Sequence, residues 1–169
     1  MFKRLLVIPI ISVFVLAFYY SGDVFALDTG TVTATVTVQE ISLTVTDGTV
    51  AYGILALSAT NNTSTLTQTQ IVENTGNVTI DVNIKGQDTV SWTLASTIGA
   101  DQYIHQFCLA TCGTYPTNYT PMTTGYTQAI NDLTIASPTQ NLDLGISTPS
   151  TSTDYTQQSV DVMVQAVAA

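Results

Sequence analysis

Cations are nearly absent from this chain of 169 residues: Lys and Arg number three, and two of them, Lys3 and Arg4, stand at the start. Beyond residue 26 the only one is Lys85, set against eleven of the twelve Asp and Glu, a formal charge of −10 for that part. A chain so poor in Lys and Arg cannot neutralise a phosphate backbone, so nucleic acid is excluded as a partner. An anionic membrane surface is excluded on the same ground. Histidine is present once, at His105, and no G-x-S-x-G or H-E-x-x-H pattern accompanies it. No catalytic function is expected, and in a strand between Tyr103 and Phe107 this histidine reads as a packed side chain. Long helical periodicity is missing too.

What is present begins with a leader. Lys3 and Arg4 precede the uncharged apolar run Leu5 to Tyr20, and Val24-Phe25-Ala26 places small residues at the −3 and −1 positions of a cleavage site. This predicts a secretory signal peptide over 1–26, cut between Ala26 and Leu27. The run of about 16 residues falls short of the ~20 that span a bilayer, so removal is expected in preference to anchoring. After cleavage no membrane segment is expected, and the protein reads as secreted or held at the cell surface. Residues 27–169 are then one domain.

Two cysteines survive in an exported chain. C-x-x-x-C with only His105 to join it is not a zinc pattern, so Cys108 and Cys112 are expected to be oxidised to each other, stiffening a tip. Phe107 is expected to face the core and Cys108 outward.

Strand patterning fills the rest. Val32, Ala34, Val36 and Val38 alternate with threonines, and the phase slips at Gln39-Glu40 before Ile41, Leu43 and Val45. Such a slip means a bulge or a strand that changes sheets. Asp47-Gly48 has the form of a two-residue hairpin turn, with Val50 and Tyr52 returning. Ser58 to Thr69 reads as a polar loop running into a strand near Thr67 to Glu73, and Asn74 to Asn77 as a turn. Val78, Ile80, Val82 and Ile84 form the cleanest half-buried strand. Trp92 and Leu94 read as core, Tyr103 to Cys108 as a strand, and Gly113 to Thr127 as an irregular connection. Leu142, Leu144 and Ile146, and then Val160, Val162, Val164 and Ala166, complete the set. The fold class is all-β: a single immunoglobulin-like or jelly-roll-type sandwich of about eight strands.

Several residues are candidate sites. Lys85 lies on the solvent phase of its strand and reads as a gatekeeper against edge pairing. Asp81, Asp88, Asp101, Asp143, Asp154 and Asp161 are candidates for a calcium site, although no D-x-D-x-D-G run is present; no other cofactor is expected. Asn61, Asn62, Asn77 and Asn118 each open an N-x-[ST] triplet. Tyr115, Tyr119 and Tyr126 are candidates for a sugar-stacking surface, or equally for loop packing.

The Thr-Val strand after the leader, Val50-Ala51-Tyr52-Gly53, Asn74-Thr75-Gly76-Asn77 leading into Val78-Thr79-Ile80, and Pro149 to Tyr155 leading into Val160 together resemble a known group. They are similar to the exported immunoglobulin-like sandwiches of prokaryotic cell surfaces, among them TasA/camelysin-type matrix fibre proteins and archaeal thread or pilin subunits. The resemblance implies a structural role, with an N-terminal strand, here Leu27 to Val38, passed into a neighbour's sheet. Camelysins are described as metallopeptidases, and this chain carries no zinc-ligand motif for that activity. Two functions follow from the sequence: a fibre or matrix subunit that assembles with itself through Val32, Ala34, Val36 and Val38, or a module binding cell-surface polysaccharide through Tyr115, Tyr119 and Tyr126.

Overall fold

The computed structural model describes residues 29–169. The expected leader and its cut between Ala26 and Leu27 lie outside the described residues. The chain divides into two compact units, 1–37 and 38–169. Of the first, residues 29–37 are described: they belong to no strand, and every one is exposed.

The second unit is an all-β sandwich of ten strands. Seven build one sheet: β1 (Leu43–Thr46), β2 (Thr60–Asn62), β3 (Gln70–Asn74), β5 (Thr93–Leu94), β6 (Gln102–Leu109), β7 (Thr120–Pro121) and β9 (Thr139–Ser147). The order is β1-β3-β9-β6-β5, with β2 also on β9 and β7 on β6. The other sheet has three, in the order β10-β4-β8, from β4 (Ile80–Lys85), β8 (Thr127–Leu133) and β10 (Met163–Ala168). A one-turn helix, α1 (Thr63–Leu66), separates β2 from β3. It is capped by Asn62, whose Oδ1 accepts from Thr65 N at 2.9 Å.

β9 organises the larger sheet. One edge pairs with β6 from Leu142 to Ser147, and the other is shared by β3 at Thr139–Leu142 and β2 at Gly145–Ser147. The turn of helix between them is seated by its first residue. Thr63, fully buried, donates its hydroxyl to Asp143 Oδ1 at 2.8 Å and accepts from Leu144 N at 2.8 Å. Thr69 donates to the same carboxylate oxygen at 2.6 Å.

The core lies between the sheets. Ile80, Val82 and Ile84 from β4 meet Val72, Phe107, Leu142 and Leu144 of the larger sheet, closed at the β8 side by Ile130 and Leu133. Each such side chain taken out of water contributes roughly 1.5–3 kcal/mol before entropy is counted. The period-2 alternation of β4, with Asp81, Asn83 and Lys85 turned outward, gives it one buried face, and pairing with β10 and β8 on its two edges places it at the centre of its sheet.

The sandwich departs from the sequence expectation in several places. There are ten strands where about eight were expected, because two-residue β5 and β7 and three-residue β2 are too short to show a period. β8 was missed: register shifts against β4 interrupt its alternation, and Asp132 sits at φ 56°. Val32 to Val38 does not supply a first strand to its own sandwich. Asp47 and Gly48 do take the positive φ values of a hairpin turn, 71° and 62°, yet the following residues form no strand. Lys85 is not on an edge, since β4 lies between β10 and β8 and Lys85 pairs with Met163. Trp92 is half-buried beside Tyr103, donating Nε1–H to Ser152 Oγ at 2.9 Å.

Candidate functional site

The least conventional region of the molecule runs from residue 47 to residue 57. These residues leave β1 as an extended arm, and side chains rather than a backbone ladder hold it. Gly48 N donates to Gln70 Oε1 at 2.9 Å, and Gln70 Nε2 returns to Thr49 O at 3.3 Å. Ala51 N donates to Gln68 Oε1 at 2.8 Å, and Gln68 Nε2 returns to Ala51 O at 3.4 Å. A primary amide carries one acceptor and two donors, so each glutamine offers the arm what a peptide group of a neighbouring strand would offer. The arm thus stands beside the larger sheet without joining it.

The arm forms one wall of a cavity of about 1270 Å³. Val45 of β1, Val50 and Tyr52 of the arm, Leu142, Leu144 and Ile146 of β9, and Val160, Val162 and Val164 are among the residues that line it. The last three belong to an extended run in which Gln158, Val160, Val162 and Val164 are half-buried while residues 157, 159, 161, 163 and 165 are exposed. Only from Met163 onward does that run pair with β4. Residues 157–162 have no ladder partner on either side among the described residues.

His105 lines the same cavity. It is almost fully buried, its Nε2 hydrogen-bonded to the Tyr52 hydroxyl at 2.9 Å, and its Nδ1 has no partner. Burial pushes its pKa down to about 4, so the ring is neutral at physiological pH. The hydroxyls of Tyr52 and Tyr103 are raised well above the usual phenol range, chiefly by the same desolvation. The sequence places Tyr103 and His105 on one face; it does not reveal that Tyr52, 53 residues earlier, would meet His105.

The three tyrosines singled out from the sequence do not share one face. Tyr115 and Tyr119 meet edge to face with ring centroids 4.9 Å apart. Tyr119 is 7% exposed and its hydroxyl is buried without a partner. Tyr115 lies against the α-carbon of Gly145, where a β-carbon would overlap its ring, and its hydroxyl meets Ser147 Oγ at 2.9 Å. The irregular segment 113–119 therefore covers the outer side of β9. Tyr126 lies apart, its ring centroid 4.7 Å from Lys85 Nζ, the arrangement of a cation–π pair.

Cys108 and Cys112 are disulfide-bonded, with α-carbons 5.7 Å apart. Cys108 is buried, contrary to the outward position read from strand phase, and so is Gln106 on its face. Both sides of β6 are covered at this level, which strand alternation cannot reveal.

The candidate calcium carboxylates are dispersed. Asp101 accepts from Thr153 N and Oγ1, each at 2.8 Å, and from Ser152 Oγ at 3.1 Å. Asp154 accepts from Ser91 Oγ at 2.5 Å and Thr156 N at 2.8 Å, which holds its pKa at about 2. Asp143 seats α1, and Asp81 and Asp88 accept from Asp132 N and Leu94 N. Among the described residues no three His, Cys, Asp or Glu side chains gather to hold a metal ion. Of the glycosylation triplets, Asn61 and Asn77 use their amide nitrogens internally, on Tyr52 O at 3.1 Å and Val38 O at 2.8 Å.

The segment expected to act in assembly is fully displayed. Val32 is 94% exposed and Val36 91%, and residues 29–42 belong to no strand. Residues 38–42 meet the turn after β3: Asn77 N donates to Glu40 O at 3.1 Å, Glu40 N to Asn77 Oδ1 at 2.7 Å, and Thr75 N to Ser42 O at 3.1 Å. No family model, curated protein or solved structure matches this chain.

Proposed function

We propose that this protein is an exported structural subunit of a surface or matrix fibre, which donates the segment Leu27 to Val38 as a β-strand to a neighbouring copy. One observation carries the reading. A run with complete strand patterning, Val32, Ala34, Val36 and Val38 alternating with threonines, is exposed and belongs to no strand. An extended segment with alternate apolar side chains is what strand addition rewards: backbone hydrogen bonds supply affinity and side-chain pockets supply register. Donation from one copy to the next is head-to-tail and does not close, so it produces a filament. The acidic, nearly cation-free surface suits a subunit that must stay soluble until assembled.

Export follows from the leader, and mass spectrometry of the secreted protein should find Leu27 as its first residue. Electron microscopy and sizing of that protein test the assembly. Filaments are expected, and deletion of residues 27–38 should leave a folded monomer that forms none. A full-length exported chain that remains monomeric at high concentration would refute the reading. The alternative, recognition of a surface polysaccharide, draws on Tyr126, which is half-exposed, while Tyr115 and Tyr119 are engaged in covering β9.

A further inference from the structure

The sandwich is one strand short on the side of β10, and we propose that this gap is the seat of the donated segment. Thr31 to Val38 of a second copy would lie along the free edge of β10, with Val32, Ala34, Val36 and Val38 turned into the cavity beneath it. This rests on the strand-donation reading and adds the location of the acceptor.

Three observations converge on this edge. Among the described residues the smaller sheet has three strands facing a path of five, and its β10 edge is unpaired. Among the described residues, the half-buried valines Val160, Val162 and Val164 line, together with Val45 and Val50, a cavity of about 1270 Å³. Residues 157–162 continue the line of β10 with their backbone groups offered on both sides. Buried amides and carbonyls require partners, so an extended run over a half-buried apolar face is an unfinished element.

The dimensions agree. Eight residues of strand span about 26 Å and nine about 30 Å, which matches Thr31 to Val38 against Gln158 to Ala166. The donor's inward side chains are Val and Ala, small enough to enter between two existing rows of valine.

The other free edges are closed to such pairing by features known to protect strands. β8 carries register shifts and the positive-φ Asp132. β1 is four residues long and runs directly into the Asp47-Gly48 turn, and β5 has two residues. β10, by contrast, contains no charge, proline or bulge over Met163–Ala168. On the opposite wall the arm is held by the side chains of Gln68 and Gln70, so it can adjust to an incoming strand without breaking a sheet ladder.

The test uses the full exported chain with Val36→Asp on the donor face or Val162→Asp on the acceptor face. Each variant alone should be monomeric. An equal mixture should give a discrete dimer and no filament, because the intact donor of the Val162→Asp chain can enter only the intact seat of the Val36→Asp chain. Filaments from Val162→Asp, with Val36→Asp monomeric, would overturn this seat while leaving donation standing. Filaments from Val36→Asp would overturn donation itself. Should Val162→Asp fail to fold, Thr33→Cys or Thr35→Cys combined with Gln165→Cys replaces it, since Cys108 and Cys112 are already paired. Oxidation should then link neighbouring copies in a ladder. A link within one chain, or filaments without any link, would refute the proposed seat.

Discussion

Asn74 in β3 reaches across the sandwich to Leu133 at the end of β8, donating an Nδ2 proton to its carbonyl at 2.9 Å. The second amide proton goes to Val78 O at 2.8 Å, and Oδ1 accepts from Gly76 N at 3.0 Å. One buried side chain thereby joins the two sheets and shapes the β3–β4 turn.

Asn74→Ala should strand two carbonyls and one amide in a site that water reaches poorly. A buried polar group left unpaired costs about 1–3 kcal/mol, so a loss of about 2–4 kcal/mol is expected. Urea unfolding monitored by circular dichroism measures it. Asn74→Asp should be nearly as damaging, because a carboxylate accepts from Gly76 N but donates to neither carbonyl.

Acid should weaken the fold through His105. Its folded-state pKa of about 4 lies below the ordinary value of 6.5. The unfolded chain therefore takes up a proton first as pH falls. The neutral folded ring contributes its full stability above 6.5, and that contribution is lost between 6.5 and 4, on the order of 3 kcal/mol in all. Asp154, held at about 2, titrates below this window. Denaturant midpoints at pH 7 and pH 4.5 should differ in the native protein and differ much less in His105→Gln. Equal slopes in the two proteins would show that His105 is not the group responsible.

At Gly145 the prediction is steric. The Tyr115 ring occupies the space of a β-carbon there, so Gly145→Ala must lift segment 113–119 off β9. Overpacking of this kind costs about 1–3 kcal/mol. Tyr115→Ala should relieve the clash, giving a double variant less unstable than the sum of the two single changes. Strict additivity in thermal unfolding would contradict the contact.

The sequence carried the central strands well. Val78 to Ile84 and Leu142 to Ile146 are legible because each keeps one face in the core, and a buried face imposes period two; of Val160 to Ala166, expected as one strand, only the part from Met163 onward pairs. The elements that escaped are those in which another force overrides that period. β8 is broken by its register shifts, Cys108 lies under covering segments on the nominal outer face, and the arm after Gly48 trades a backbone ladder for two glutamine side chains. Of the candidate site, the alternating face of Val32 to Val38 is readable as a pattern, whereas its exposure is not. Alternation in Val32 to Val38 looks the same whether or not a partner strand is present. The cavity was beyond reading, since it is made by residues from Val45 to Val164 that meet only in the folded chain.

Lys85 has a further consequence, for resistance to proteolysis. It is the only residue after position 26 at which a protease specific for Lys or Arg can cut. A protease must draw several residues around its target into an extended, accessible form. Lys85 ends the central strand of its sheet, paired with Met163 and with its ammonium over Tyr126. The folded protein should therefore withstand trypsin-like enzymes for as long as β4 stays between its two neighbours, and after denaturation the chain beyond residue 26 should yield just two fragments.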